Sequence, residues 1–164
     1  MASILKSLSD FSHLEVSSGK DYTVRIVVAQ WNAEITGALY NGACSALLKS
    51  GVLEENILTV QVPGSFELTS GADILLSSKQ LDAVICLGCV IQGETPHFTF
   101  ICNAVANGLV NVSIKHNKPV VFGVLTTDNQ QQAKDRAGGK HGNKGEEAAV
   151  TAIVMAQVQA NAAQ

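Results

Sequence analysis

Four apolar runs of β type divide the chain, and each ends in a polar or glycine-rich cluster. Thr23-Val24-Arg25-Ile26-Val27-Val28-Ala29 runs into Gln30-Trp31-Asn32, and Ile57-Leu58-Thr59-Val60-Gln61-Val62 into Pro63-Gly64-Ser65-Phe66-Glu67. Asp82-Ala83-Val84-Ile85-Cys86-Leu87-Gly88 leads into Cys89-Val90-Ile91-Gln92-Gly93-Glu94-Thr95-Pro96-His97, and Pro119-Val120-Val121-Phe122-Gly123-Val124-Leu125 into Thr126-Thr127-Asp128-Asn129. Between the runs the apolar period lengthens to that of a helix. Thr36 is placed to cap a first helix with Leu39, Ala43, Ala46 and Leu47 on one face, and Gly51 to end it. A second helix opens at Ser65 or Phe66 and reaches about Ser78. A third is expected to start with Thr95 as cap and Pro96 at its first position, with Phe98, Ile101, Val105, Leu109 and Val112 inward. A short helix spans 129–136, and a last one spans 144–159 with Ala149, Ala152, Ile153 and Ala156 inward.

This alternation predicts an α/β fold, a three-layer αβα sandwich on a four-stranded parallel sheet with right-handed crossovers. Residues 23–164 form the single domain. Residues 1–22 form an N-terminal arm whose one periodic feature is the alternation His13-Leu14-Glu15-Val16, suited either to a strand added to a neighbouring subunit's sheet or to a mobile arm. In open parallel sheets ligands bind beyond the carboxyl ends of the strands, so the four clusters describe one composite site.

Composition adds an oligomer to this picture. Of 164 residues only 15% are charged while 46% are hydrophobic, against about 25% charged in an average soluble domain. Subunit contacts that bury part of the surface resolve the shortage, so a homo-oligomer is expected. The net charge of −3, with no run of Lys or Arg, leaves no nucleic-acid footprint. No apolar stretch resembles a secretory signal or a membrane span, so the expected address is cytoplasmic and the four cysteines are expected as thiols. Cys86 and Cys89, three apart on a strand, point to opposite faces and read as plain buried cysteines rather than a metal or redox pair.

The richest chemistry lies in Gly93-Glu94-Thr95-Pro96-His97. A glycine before a helix N-terminus lets backbone N–H groups approach an anion, and Thr95 adds a hydroxyl; an ordinary capped turn has the same residues. His97, at the start of that helix, is the histidine best placed to move protons near pH 7, the alternative being a capping or packing role. Trp31, the single tryptophan, either stacks on a heteroaromatic substrate or plugs the sheet end. Ser65, Phe66 and Glu67 offer N–H groups, a hydroxyl and a carboxylate suited to a polyhydroxylated chain, or simply cap a turn. Arg136 opens the basic, glycine-rich stretch 136–145, where a guanidinium can fork onto phosphate or remain solvated. No set of His, Cys and carboxylate residues has metal-ligand spacing.

These residues resemble a known family. Val62-Pro63-Gly64-Ser65-Phe66-Glu67, Val90-Ile91-Gln92-Gly93-Glu94-Thr95-Pro96-His97-Phe98, Gly123-Val124-Leu125-Thr126-Thr127, and Arg136-Ala137-Gly138 through Gly142-Asn143-Lys144-Gly145 look like 6,7-dimethyl-8-ribityllumazine synthase. The resemblance runs from about residue 23 to 157. It implies a flavodoxin-like fold and a transferase of riboflavin biosynthesis. The reaction implied condenses 5-amino-6-(ribitylamino)uracil with 3,4-dihydroxy-2-butanone 4-phosphate, releasing phosphate and water, with no cofactor and no metal. Carried over, Trp31 stacks on the pyrimidine with Asn32 beside it. Ser65, Phe66 and Glu67 hold the ribityl chain, and Cys89, Val90 and Ile91 line the pyrimidine pocket through backbone groups. Gly93, Glu94 and Thr95 bind the phosphate with help from Arg136, His97 transfers protons, and Phe122 closes the pocket from a neighbouring subunit.

The resemblance also implies pentamers, which in members lacking an insertion before the last helix close into a hollow sixty-subunit shell that can enclose riboflavin synthase. Here only Gly139-Lys140-His141 separates the two halves of the last motif, so the shell is expected. The chain departs from many members at Gln92, where they carry Arg, and at Thr99, where they carry an acid. A non-catalytic homologue that binds the flavin precursor or only builds a shell is the alternative these departures raise. A flavodoxin-type FMN binder is disfavoured, because that fold places its phosphate loop after the first strand.

Overall fold

The computed structural model describes residues 7, 9–11, 16, 18–78 and 80–162. The expected alternation at 13–16 lies outside these residues except for Val16. The elements follow in the order β1 (Val24–Ala29), α1 (Ala33–Lys49), β2 (Ile57–Val62), α2 (Leu68–Ser78), β3 (Ala83–Ile91), α3 (His97–His116), β4 (Val120–Thr127), α4 (Gln130–Asp135), β5 (Ala137–Gly139), β6 (Gly142–Asn143) and α5 (Lys144–Ala162). The four long strands form one parallel sheet in the order β2-β1-β3-β4. This is the α/β sandwich expected from the alternation. No helix among the described residues is long and apolar enough to cross a membrane.

Helices cover both faces of the sheet, so β3 reads as an unbroken apolar run and β1 as one interrupted only at Arg25. Val24, Ile26, Val28, Ile85, Leu87, Cys89, Val121 and Leu125 pack on one side against Leu39, Ala43 and Leu47 of α1 and Ala149, Ala152 and Ile153 of α5. Val27, Ala29, Val84, Cys86 and Val124 pack on the other against Leu68 and Ala72 of α2 and Val105, Leu109 and Val112 of α3. Cys86 and Cys89 therefore fall in opposite layers, as strand alternation requires, and both are free thiols.

Small residues set how closely α1 and α5 approach. A Cβ on Gly145 would lie 1.9 Å from the carbonyl oxygen of Leu39. Asn143 braces the same junction: its Nδ2 donates to the carbonyl of Ala38 at 3.0 Å, and its Oδ1 accepts from the N–H of Gly145 at 2.8 Å. The arm reaches this brace through Ser9, whose hydroxyl oxygen accepts from the Asn143 N–H at 3.1 Å.

Several boundaries differ from the expected ones. α1 starts at Ala33, and Thr36 lies inside its first turn rather than at its cap, with its hydroxyl 3.4 Å from the carbonyl of Asn32. α2 starts at Leu68, leaving Ser65 and Phe66 in the preceding turn. Thr95 does not cap α3. Pro96 occupies the N-cap with φ −63°, and its carbonyl receives the Phe100 N–H at 3.3 Å. β3 and β4 continue past Gly88 and Leu125 because their ladder persists to the pair Ile91↔Thr127. Residues 137–143 are not a plain loop but the short antiparallel hairpin β5–β6, turned with positive φ at Gly138 and Gly142.

Candidate active site

A cleft of about 700 Å³ opens beyond the carboxyl ends of β1, β2 and β3. It gathers Trp31, Asn32, Ser65, Phe66, Glu67, Cys89, Val90, Ile91 and His97, together with Gly64 and Ile101.

The first wall is made where the β1–β2 pairing outlives the strands. The Gln30 N–H donates to the carbonyl of Val62 at 2.9 Å, and the Trp31 N–H to that of Pro63 at 3.2 Å. These bonds fix the backbone beneath the Trp31 ring, which is 74% exposed and free to stack. A Cβ on Gly64 would meet Trp31 Cδ1 at 3.5 Å and Glu67 Oε2 at 3.1 Å, so the indole and the carboxylate converge over that glycine. Ser65 is buried while Phe66 is exposed. The room for the Ser65 side chain comes from Gly88, where a Cβ would stand 2.6 Å from the Ser65 hydroxyl oxygen.

The floor is a free strand edge. The last pairing of β1 with β3 is Val28↔Leu87, yet β3 runs on to Ile91. Cys89 and Ile91 thus turn main-chain groups to an edge beyond the reach of β1, while Val90 between them turns its own toward β4; that edge suits the N–H and C=O edge of a flat heterocycle. Asn32 closes one of these positions, its Nδ2 donating to the carbonyl of Cys89 at 2.9 Å. Burial pushes the Cys89 thiol up to about 11, so it stays protonated at neutral pH and offers no thiolate nucleophile.

The far wall is the start of α3. His97 and Ile101 stand one turn apart and both face the cleft. His97 is exposed, and no hydrogen-bond partner holds it among the described residues. The loop carrying Gly93, Glu94 and Thr95 is exposed and joins Ile91 to His97 without itself lining the cleft. Two bonds shape it: the Gln92 N–H donates to the carbonyl of Thr127 at 2.8 Å, and Gln92 Nε2 to that of Gly93 at 2.7 Å.

Besides that loop, two further expected residues lie away from the cleft of their own chain. Phe122 lines a separate cavity of about 300 Å³ between β4 and α5, with Lys144, Glu147 and Met155. Arg136 is half-buried after α4, its Nη1 3.5 Å from the carbonyl of Gln132. Sequence reasoning had placed Ile101 only on the core-facing stripe of its helix. Its spacing of four from His97 was the available signal for a place in the cleft.

Known proteins resemble this chain over nearly its whole length. The family model for 6,7-dimethyl-8-ribityllumazine synthase matches residues 21–160. A protein of that name from Cytophaga hutchinsonii is 59% identical over 155 residues, covering 94% of this chain and 97% of its own. One from Parabacteroides distasonis is 50% identical over 98% of this chain and all of its own length, and one from Porphyromonas gingivalis 48% identical over 97% and 99%. With a matched region that contains every element of the cleft, the chain belongs to the 6,7-dimethyl-8-ribityllumazine synthase family.

Proposed function

We propose that the chain condenses 5-amino-6-(ribitylamino)uracil with 3,4-dihydroxy-2-butanone 4-phosphate to give 6,7-dimethyl-8-ribityllumazine, phosphate and water. The observation that carries this reading is the convergence of Trp31, the free β3 edge, Ser65 to Glu67 and His97 on one cleft. An indole face and a strand edge suit the pyrimidine, and the Ser65 to Glu67 turn suits the ribityl chain. The uracil's amine attacks the ketone and loses water to give a Schiff base. A proton then leaves the adjacent carbon and phosphate departs, and the second amine closes the ring on the new carbonyl with loss of water. His97 is the group in the cleft to which we assign the transfer of those protons. Amine and ketone already react in water, so most of the gain comes from orientation, for which proximity supplies about 7–11 kcal/mol at best. Mixing the protein with both substrates and following the fluorescent lumazine tests the reading. Pyrimidine binding without product would leave a precursor-binding homologue instead.

The phosphate substrate is assigned to the Gly93, Glu94 and Thr95 loop and to Arg136. Since Phe122 and Arg136 stand outside the cleft of their own chain, we assign both to the cleft of a neighbouring subunit. Exposed apolar side chains support a packed assembly. Phe100, Val110 and Ile114 of α3 are 71%, 58% and 75% exposed, and Ile74 of α2 is 66% exposed, a density that calls for a covering surface. Among the described residues no strand pairs with the outer edge of β2, which suits it to an added strand. Pentamers that close into a shell are the assembly we expect, because β5 and β6 are joined by only Lys140 and His141. Sedimentation near physiological salt is expected to show one large particle, and a homogeneous particle of five chains would defeat the shell while leaving the enzyme intact.

A further inference from the structure

Asn32 has an unusual backbone and an unusual bond. Only two non-glycine residues among those described have positive φ, Asn32 at 59° and Asn117 at 49°. Asn117 closes α3, a common place for that conformation. Asn32 instead opens α1, where its side chain makes no capping bond to the helix. Its carboxamide is spent across the sheet on the carbonyl of Cys89, at 2.9 Å. Its own carbonyl meanwhile accepts the N–H groups of Ile35 at 2.8 Å and Thr36 at 3.0 Å. One residue therefore ties the loop carrying Trp31, the first turn of α1 and the edge of β3. The bond falls where β3 has outrun β1, so no strand is present to satisfy the Cys89 carbonyl.

We propose that Asn32 is a positioning residue. Its carboxamide caps the Cys89 carbonyl and so fixes the Trp31 ring over the free β3 edge at the spacing a flat pyrimidine requires. The same bond removes that carbonyl from competition for the pyrimidine's N–H groups, leaving the later main-chain groups of β3 to read them. The left-handed turn is what brings the short side chain to Cys89, and asparagine tolerates that conformation better than other residues with a side chain. The inference rests on the reading that the cleft takes the pyrimidine.

Three variants separate bond from backbone. Asn32→Gly keeps the left-handed turn without strain and loses only the donor. Asn32→Ala loses the donor and strains the turn. Asn32→Asp sets an acceptor against the Cys89 carbonyl. Steady-state kinetics is read for each substrate in turn, and pyrimidine binding is read alone by quenching of Trp31, the single tryptophan. Asn32→Gly is expected to raise KM for the pyrimidine about tenfold, the usual order for losing one such bond, with KM for the butanone phosphate and the melting temperature near wild type. Asn32→Ala should match that KM but melt lower, and Asn32→Asp should bind the pyrimidine worst. A wild-type pyrimidine KM in Asn32→Gly would overturn the proposal. So would a rise in both KM values that follows the loss of melting temperature across the variants, since a merely structural residue behaves that way. A wild-type protein whose Trp31 emission is unmoved by the pyrimidine, and which forms no product, would instead bring down the parent reading and this one with it.

Discussion

Replacing His97 by alanine is expected to lower turnover about a hundredfold, the lower end of what one positioned proton-transfer group contributes, while product formation stays measurable. The cleft keeps its two ways of orienting the reactants without the imidazole: the Trp31 face opposite the β3 edge, and the Ser65 to Glu67 turn at one end. Ile101, one turn along α3, keeps the wall in place. The loss is set at the lower end because the imidazole is exposed and unpartnered among the described residues, with Thr99 two positions on offering no carboxylate to orient it. A histidine left without an orienting partner adopts the productive rotamer for only part of the time. The measurement is kcat at saturating concentrations of both substrates, with the oligomer verified by sedimentation. Complete loss in an intact assembly would contradict a role limited to proton transfer. A change under threefold would pass that role to water or to Glu67.

The sheet and its two cores are legible because burial on both faces leaves a strong signal: largely apolar runs for β1, β3 and β4, and helical stripes on α3 and α5. Cys86 and Cys89 show how far strand alternation alone can reach, since it placed them in opposite layers. Strand and helix ends were less legible, for reasons tied to particular residues. β3 runs to Ile91 because β4 supplies partners as far as Thr127, and pairing with a distant strand has no local mark. The start of α1 was misplaced because Asn32 begins the helix through its backbone conformation and main-chain carbonyl, while its side chain goes to Cys89. A search for a side-chain cap finds Thr36 instead. Gly88 reads as a strand-ending glycine, and only the fold shows the Ser65 side chain in the space it leaves. The cleft itself is legible at three of the four decorated strand ends; the β4 end, Thr126 to Asn129, contributes no lining residue to it. Phe122 and Arg136 do not reach the cleft of their own chain, which is why we assign them to a neighbouring subunit.

Mixed assemblies of two damaged chains are expected to regain activity that neither has alone. Arg136→Ala by itself should raise KM for the butanone phosphate far more than for the pyrimidine, because it removes the guanidinium assigned to the phosphate. His97→Ala removes the proton carrier from the cleft. If each working site joins the cleft of one subunit to Arg136 of the next, the contact is head-to-tail and repeats around a closed ring. In a random equal mixture, a site is whole when its cleft comes from an Arg136→Ala chain and its arginine from a His97→Ala chain, which happens at about a quarter of sites. Turnover per chain, measured at a butanone phosphate concentration well below the KM of the Arg136→Ala protein, should then approach a quarter of wild type after the two chains are unfolded and reassembled together. Preformed assemblies mixed without exchange should give only the average of the two variants. The same low value after reassembly would mean that Arg136 serves the cleft of its own chain, or none. Its place outside that cleft, with its guanidinium held among the described residues by a long contact to the carbonyl of Gln132, is why recovery is the expected result.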